Sequence, residues 1–165
     1  MYKRQIQHIP DFPENLSGKK VVVIGGGAVG LDVVEFFSGK GADISIVEMM
    51  DQIGRDLDPI TKNDMKCQMN KYNVKQLTST ALLEVKDSSF LVKGEQGEYE
   101  LPFDYGFVCL GMRAQNKPYQ DLLDAFAGED IEILNIGDSM RARRIIEGTR
   151  EGRDIISHLE QKGYL

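Results

Sequence analysis

The sequence predicts an α/β fold with a mostly parallel central sheet, and three observations predict it. Short β-branched runs recur along the chain, first at 19–24 (KKVVVI) and again at 43–48 (DISIVE). Each is followed by a stretch with helical spacing of its apolar residues. A Gly-rich break, Gly25-Gly26-Gly27, separates the first run from its helix. Strands that alternate with helices pair in parallel, because a strand needs a crossover to return beside its predecessor.

The elements follow in order. Residues 1–18 contain Pro10, Pro13 and Gly18 without a sustained period, and read as a linker or arm. The run at 19–24 is continuously apolar after its lysines, as a parallel strand buried on both faces should be. From Ala28 to about Lys40 the pattern is helical, with Val29, Val33, Phe36 and Phe37 on one side, and Gly39 and Gly41 end it. A second strand covers 43–48. Asp58 is placed to cap a helix that starts at Pro59 and runs to about Tyr72. A short strand near 74–77 follows. Three β-type runs, ALLEVK, FLVKG and EYELP, lie within 80–102 with turn residues between them, and read as an antiparallel three-stranded meander. A strand at 104–110 (DYGFVCL) rejoins the main sheet and ends at Gly111. A looser helix covers 119–126, and 131–136 (IEILNI) reads as one more strand. The last helix is expected over roughly 141–161, with Ile145, Thr149, Gly152, Ile156 and Leu159 on one face.

Composition narrows the function classes. The 165 residues carry a formal net charge of −6 and are 41% hydrophobic and 28% charged. An acidic balance argues against nucleic acid and against an anionic membrane surface as partners. The two cysteines, Cys67 and Cys109, form no C-x-x-C pair, and His8 and His158 are the only histidines, so neither a disulfide framework nor a metal site follows. The N-terminal stretch has no signal-peptide core, and no apolar run is long enough to span a bilayer; a cytoplasmic protein is expected.

Residues 25–30, GGGAVG, match G-x-G-x-x-G through Gly25, Gly27 and Gly30. The pattern alone is weak. Here a buried strand precedes it, a helix follows, and Glu48 closes the next strand. Each glycine serves a physical need. Gly25 permits the tight turn, Gly27 lets the backbone approach a pyrophosphate, and Gly30 lets the helix pack close to the strand. The amides of Gly27, Ala28 and Val29 then face the phosphates, with the positive end of the helix dipole behind them. The Glu48 carboxylate suits both hydroxyls of an adenosine ribose and repels a 2′-phosphate, so NAD(H) is favoured over its phosphorylated counterpart. Met49, where a basic residue would serve a 2′-phosphate, supports that choice; Arg55 further along leaves the other open. Thr80 and Ala81 follow the strand that should border the adenine and leave room for it.

These stretches, VVVIGGGAVGLDVVEFFSGKGADISIVE followed by IGRDLDP, resemble the NADH domain of flavoprotein reductases with two Rossmann-like FAD/NAD(P)-binding domains. The likeness is greatest to the multidomain NADH:flavin oxidoreductase, enoate reductase, 2,4-dienoyl-CoA reductase and NADH oxidase group. It implies an NAD(H)-binding domain at 19–114 that passes hydride from NADH to a flavin on another domain or subunit. The stretch LGMR, from Leu110 through Gly111 to Arg113, resembles the loop that passes the bound cofactor. A second stretch, IEILNIGDSMRARRIIEGTREG, resembles the returning segment of the FAD domain, which assigns 115–165 to that domain. By that resemblance Asp138 touches the ribityl or phosphate region of FAD, although Ala142 stands where many relatives have Pro. The chain carries a single Gly-rich fingerprint, so a fragment of a larger enzyme, inactive alone, is expected; a natural short protein is the other option. A last helix out of context would pack in a non-native way or pair with a second copy of the chain. Two functional alternatives remain: an FAD-binding module of the same superfamily, which Glu48 would serve equally well, and a non-catalytic NAD-sensing domain.

Several residues admit a sharp and a bland reading. Asp32 stands where related reductases usually carry a Glu near the nicotinamide, yet suits a solvated position. Arg141, Arg143 and Arg144 crowd a helix start, either to meet a phosphate or an absent domain, or as a cluster offset by Glu147 and Glu151. Gly148 and Gly152 weaken the last helix unless a backbone or ligand approaches closely. Cys109 reads as a small apolar residue rather than a redox centre.

Overall fold

The computed structural model describes residues 12–164, which form two compact units, one ending at Gly111 and the other beginning at Met112. Among the described residues seven strands and four α-helices follow in chain order: β1 (Lys20–Ile24), α1 (Ala28–Ser38), β2 (Asp43–Val47), α2 (Pro59–Lys71), β3 (Lys75–Leu77), β4 (Ala81–Val85), β5 (Ser89–Gly94), β6 (Gly97–Pro102), β7 (Tyr105–Val108), α3 (Lys117–Ala125) and α4 (Ile145–Lys162).

In the first unit a parallel sheet runs in the order β3-β2-β1-β7, and a separate antiparallel sheet runs β4-β5-β6. This is the expected α/β architecture with its meander crossover. The layering is more specific than helices flanking a sheet. Alternate residues of β1 point to opposite faces. Val21 and Val23 join the cluster made with Leu31, Val34 and Phe37 of α1 and with Met65 and Met69 of α2. Val22 and Ile24 join the opposite cluster, with Val47, Phe90 and Val92, on which Leu82, Tyr99, Leu101 and Phe103 pack. Both helices thus cover one face and the meander covers the other. Two successive right-handed crossovers in one direction put α1 and α2 on the same side. The opposite side of a sheet this apolar still needs cover, and the meander supplies it.

Several sequence expectations change. Residues 1–11 of the expected arm, with His8 and Pro10, lie outside the described residues. Residues 12–18 do not form a free arm: Phe12 and Leu16 are buried in the helix-side core, and Phe12 meets Phe37 edge-on at 5.1 Å and Tyr105 at 5.1 Å. Val29 does not join the buried side of α1 but is 51% exposed, because it sits in the first turn, beyond the sheet's edge.

The second unit holds α3, a 3-10 turn at Gly137–Ser139 and α4, and neither helix buries a residue fully. Residues 131–136, expected as a strand, are not one. A strand persists only when its backbone groups find a ladder partner, and among the described residues this unit offers no second strand. The last helix starts at Ile145 rather than near Arg141, because the 3-10 turn and a hydrogen bond from the Arg143 N–H to Asp138 Oδ1 (3.1 Å) hold 137–143 in a bend.

Candidate functional site

The candidate site lies at the edge of the first unit where β1 and β2 end and α1 begins. The turn after β1 is forced by contact. Gly25 has φ +104°, and a Cβ there would lie 2.2 Å from the Cys109 carbonyl oxygen. Its N–H donates to the Val47 carbonyl at 2.8 Å, tying the turn to β2. A Cβ on Gly30 would lie 1.9 Å from the Gly25 oxygen, so α1 lies directly against the turn. Gly27 is the N-cap of α1 and supplies no side-chain cap, and no acidic residue occupies the first turn. The first-turn amides, those of Ala28 and Val29 among them, therefore lack the carbonyl partners that a helix gives its later residues. Gly27, Ala28 and Val29 are exposed, and nothing stands within 4 Å of where a Gly27 Cβ would be. Donors without acceptors, open space and the positive end of a helix dipole make this donor set fit a diphosphate.

Glu48 lies one residue past β2. Its Oε2 accepts the Gly26 N–H at 2.6 Å and its Oε1 accepts the Met50 N–H at 2.8 Å, so the carboxylate is aimed along the same edge. Met49 beside it is 68% exposed. The segment after β3 closes this side. The Thr80 N–H donates to the Glu48 carbonyl at 2.9 Å and the Ser79 N–H to the Met50 carbonyl at 2.9 Å. Thr80 is buried, with its hydroxyl donating to the Thr78 carbonyl at 2.8 Å, and Ala81 opens β4 half-buried. Gly25, Gly27, Ala28, Val29, Gly30, Glu48, Met49 and Thr80 thus share one edge, with Ala81 next in chain. Gly111 ends the unit after β7 and is exposed.

Asp138 belongs to the second unit. It sits exposed on the 3-10 turn and binds the Arg143 amide. Of the arginines near α4, Arg143 pairs with Glu151 and Arg144 with Glu147, the two acids set against them by sequence. Gly148 does lie near another backbone: a Cβ there would meet the Gly137 Cα at 3.5 Å, while Gly152 has nothing within 4 Å. In the first unit, burial and the nearby Asp32 charge push the Cys109 thiol pKa up, which suits an inert apolar residue.

Sequence reading missed three members of the edge. Gly26 gives its N–H to Glu48 and its carbonyl to Gly54, whose N–H lies 2.8 Å away. Ile53 is buried beneath Gly26. Ser79 takes a left-handed conformation, φ 48°, to place the loop against Glu48 and Met50. The one signal was Gly54 itself, a glycine in a loop otherwise rich in charge.

Over 142 residues the chain is 32% identical to bilirubin reductase of Mediterraneibacter gnavus, which covers 84% of this chain and 21% of that protein. Over 135 residues it is 29% identical to NADH oxidase of Thermoanaerobacter brockii, 81% of this chain and 20% of that one. The chain therefore spans about a fifth of the length of these curated relatives. Histamine dehydrogenase from Rhizobium sp. 4-9 shares the fold, with a TM-score of 0.65 over 90% of this chain and 24% of that one at 18% identity. Among the described residues no helix is long and apolar enough to cross a membrane. Residues 2–133 match the family model described as pyridine nucleotide-disulphide oxidoreductase, a group of FAD/NAD(P)-binding oxidoreductases, and the chain belongs to that family.

Proposed function

We propose that this chain is the NAD(H)-binding module of a flavin-dependent oxidoreductase, acting beside a flavin-bearing domain or subunit. The observation that carries this reading is the open N-terminus of α1, uncapped and free of acid, with Glu48 fixed 2.6 Å from the Gly26 amide on the same edge. In this reading the amides of Gly27, Ala28 and Val29 hold the diphosphate. Glu48 takes the adenosine ribose hydroxyls and turns away a 2′-phosphate. Met49 and Ala81 line the adenine, with buried Thr80 backing that wall rather than touching the base, and the loop at Gly111 passes the nicotinamide end.

What the bound dinucleotide supplies is hydride, for a flavin held elsewhere. The chain's own residues bind and orient; hydride transfer asks no acid or base of them. Asp138 is proposed to meet the ribityl or phosphate region of FAD, its carboxylate steadied by the Arg143 amide. The name of the NADH oxidase relative supports NADH as donor. The pairing of the whole protein's chemistry with a particular acceptor lies with domains beyond this unit.

Calorimetric titration with NADH, NADPH and FAD, repeated with Glu48→Ala, tests the reading. NADH is expected to bind, NADPH to bind roughly tenfold more weakly, and Glu48→Ala to lose roughly tenfold to a hundredfold for NADH, as loss of a charged hydrogen-bond partner implies. Tight binding of FAD by the wild-type chain would transfer the site to a flavin. Binding of NADH that only alters affinity for another protein would make this a sensor.

A further inference from the structure

We propose that Gly54, in the loop between β2 and α2, is a positioning residue that aims the Gly27 amide at the diphosphate without touching it; the proposal rests on the reading of this edge as a dinucleotide site. In a trans peptide the carbonyl of one residue and the N–H of the next share a plane and point in opposite directions. The Gly26 carbonyl accepts the Gly54 N–H at 2.8 Å. The same plane carries the Gly27 N–H, which is therefore aimed away from the loop at 49–57 and out of the turn. The preceding plane is held in the same manner. The Gly26 N–H lies on Glu48 at 2.6 Å, and the Gly25 carbonyl points the other way, to within 1.9 Å of where a Gly30 Cβ would be. Both peptides flanking Gly26 are thus locked from the β2 side, one by Glu48 and one by Gly54.

The loop is built to hold that bond. Gly54 has φ +66°, and a Cβ on it would lie 3.1 Å from Leu57 Cδ1 and 3.5 Å from Leu31 Cδ1, so its position is set between the loop and α1. Ile53 is 8% exposed, and its Cγ1 would lie 3.2 Å from a Gly26 Cβ, filling the space beneath the turn. The Leu57 N–H closes the bend on the Gly54 carbonyl at 3.1 Å. Rotation of the Gly26–Gly27 peptide requires this whole corner to move.

The experiment compares adenosine with ADP by NMR titration of the full chain, in wild type, Gly54→Pro and Ile53→Ala. Adenosine probes the Glu48 end; ADP adds the diphosphate. Gly54→Pro removes the donor and imposes a negative φ. It is expected to lower ADP affinity at least fivefold while adenosine affinity stays within twofold. Ile53→Ala keeps the donor but loosens its seat, and is expected to lower the ADP-to-adenosine ratio about twofold to threefold; it carries the test where Gly54→Pro fails to fold. A ratio unchanged in folded variants overturns the positioning role, as does an equal loss for both ligands. Wild type that gains nothing from the diphosphate overturns the dinucleotide reading itself, which separates the two failures.

Discussion

The two units bury apolar surface to different degrees, and the contrast explains how each holds its shape. The first encloses two apolar clusters, one on either face of its parallel sheet, with Phe37, Val21, Val23 and Val92 inaccessible. The second leaves Ile145 90% and Ile156 56% exposed, and its helices bury no residue. A helix in a protein owes most of its stability to a covered face. The first unit therefore stands on packing. The second relies on polar ties: Glu151 accepts the Gly137 amide at 2.7 Å and pairs with Arg143, and Glu132 meets His158 Nε2 at 3.0 Å and Lys162 Nζ at 3.3 Å.

Truncating one apolar residue in each unit breaks the comparison most directly. Phe37→Ala removes a ring packed on Phe12, Phe36 and Phe107, and is expected to destabilise the first unit by about 3–5 kcal/mol. Ile156→Ala is expected to change stability by no more than about 0.5 kcal/mol. Urea unfolding followed by amide signals of each unit measures both. A cost above about 2 kcal/mol for Ile156→Ala would mean that this face is covered in solution.

A pair of helix glycines sharpens the contrast. On Gly30 an added methyl meets the Gly25 oxygen at 1.9 Å, a backbone atom that can yield only if the turn moves. Gly30→Ala is expected to cost roughly 1–3 kcal/mol and to abolish NADH binding, because the turn it displaces is the proposed cradle. On Gly152 the methyl meets nothing, and Gly152→Ala should stabilise α4 by up to about 1 kcal/mol. Thermal unfolding ranks the two; a destabilised Gly152→Ala would reveal a close neighbour for α4.

The same contrast marks what the sequence makes legible. Val21 to Ile24 alternate between two apolar faces, so the run declares a buried strand, and Asp58 before Pro59 declares a cap, which the structure realises by accepting the Ile60 and Thr61 amides. The tight turn at Gly25, the close approach at Gly30 and the place of Glu48 at the end of β2 were legible because each is local or lies at a strand's end. Residues 131–136 show the limit. An apolar run records β-propensity, while a strand also needs a partner, which local sequence does not name. Phe12 was hidden by its flanking prolines, since its burial depends on distant Phe37 and Tyr105. The Gly54 bond to Gly26 was hidden likewise, joining two loops that only the finished sheet brings together.

Acid offers the finest test of the contrast. The Glu151 carboxyl is held below its ordinary pKa by the Gly137 amide and then by Arg143; that of Glu132 is lowered by His158 and then by Lys162. A carboxyl whose folded pKa is depressed contributes stability above its unfolded value, and that contribution is lost as pH falls through the folded one. Both carboxyls therefore contribute above the ordinary glutamate range, and the contribution is lost as pH falls below it. The first unit has such carboxyls too, at Asp58, Glu100 and Asp104, but they brace a surface over an apolar core that acid does not touch. As pH falls from about 5 to about 3, amide protection in α4, corrected for intrinsic exchange, is expected to drop before that of β1 and α1. The drop should be modest, since these carboxylates are partly solvated and screened. Glu132→Gln should bring it to higher pH, by removing the charge that meets His158 and Lys162 in advance. Loss of protection in both units together, at one pH, would mean that α4 draws its stability from packing after all.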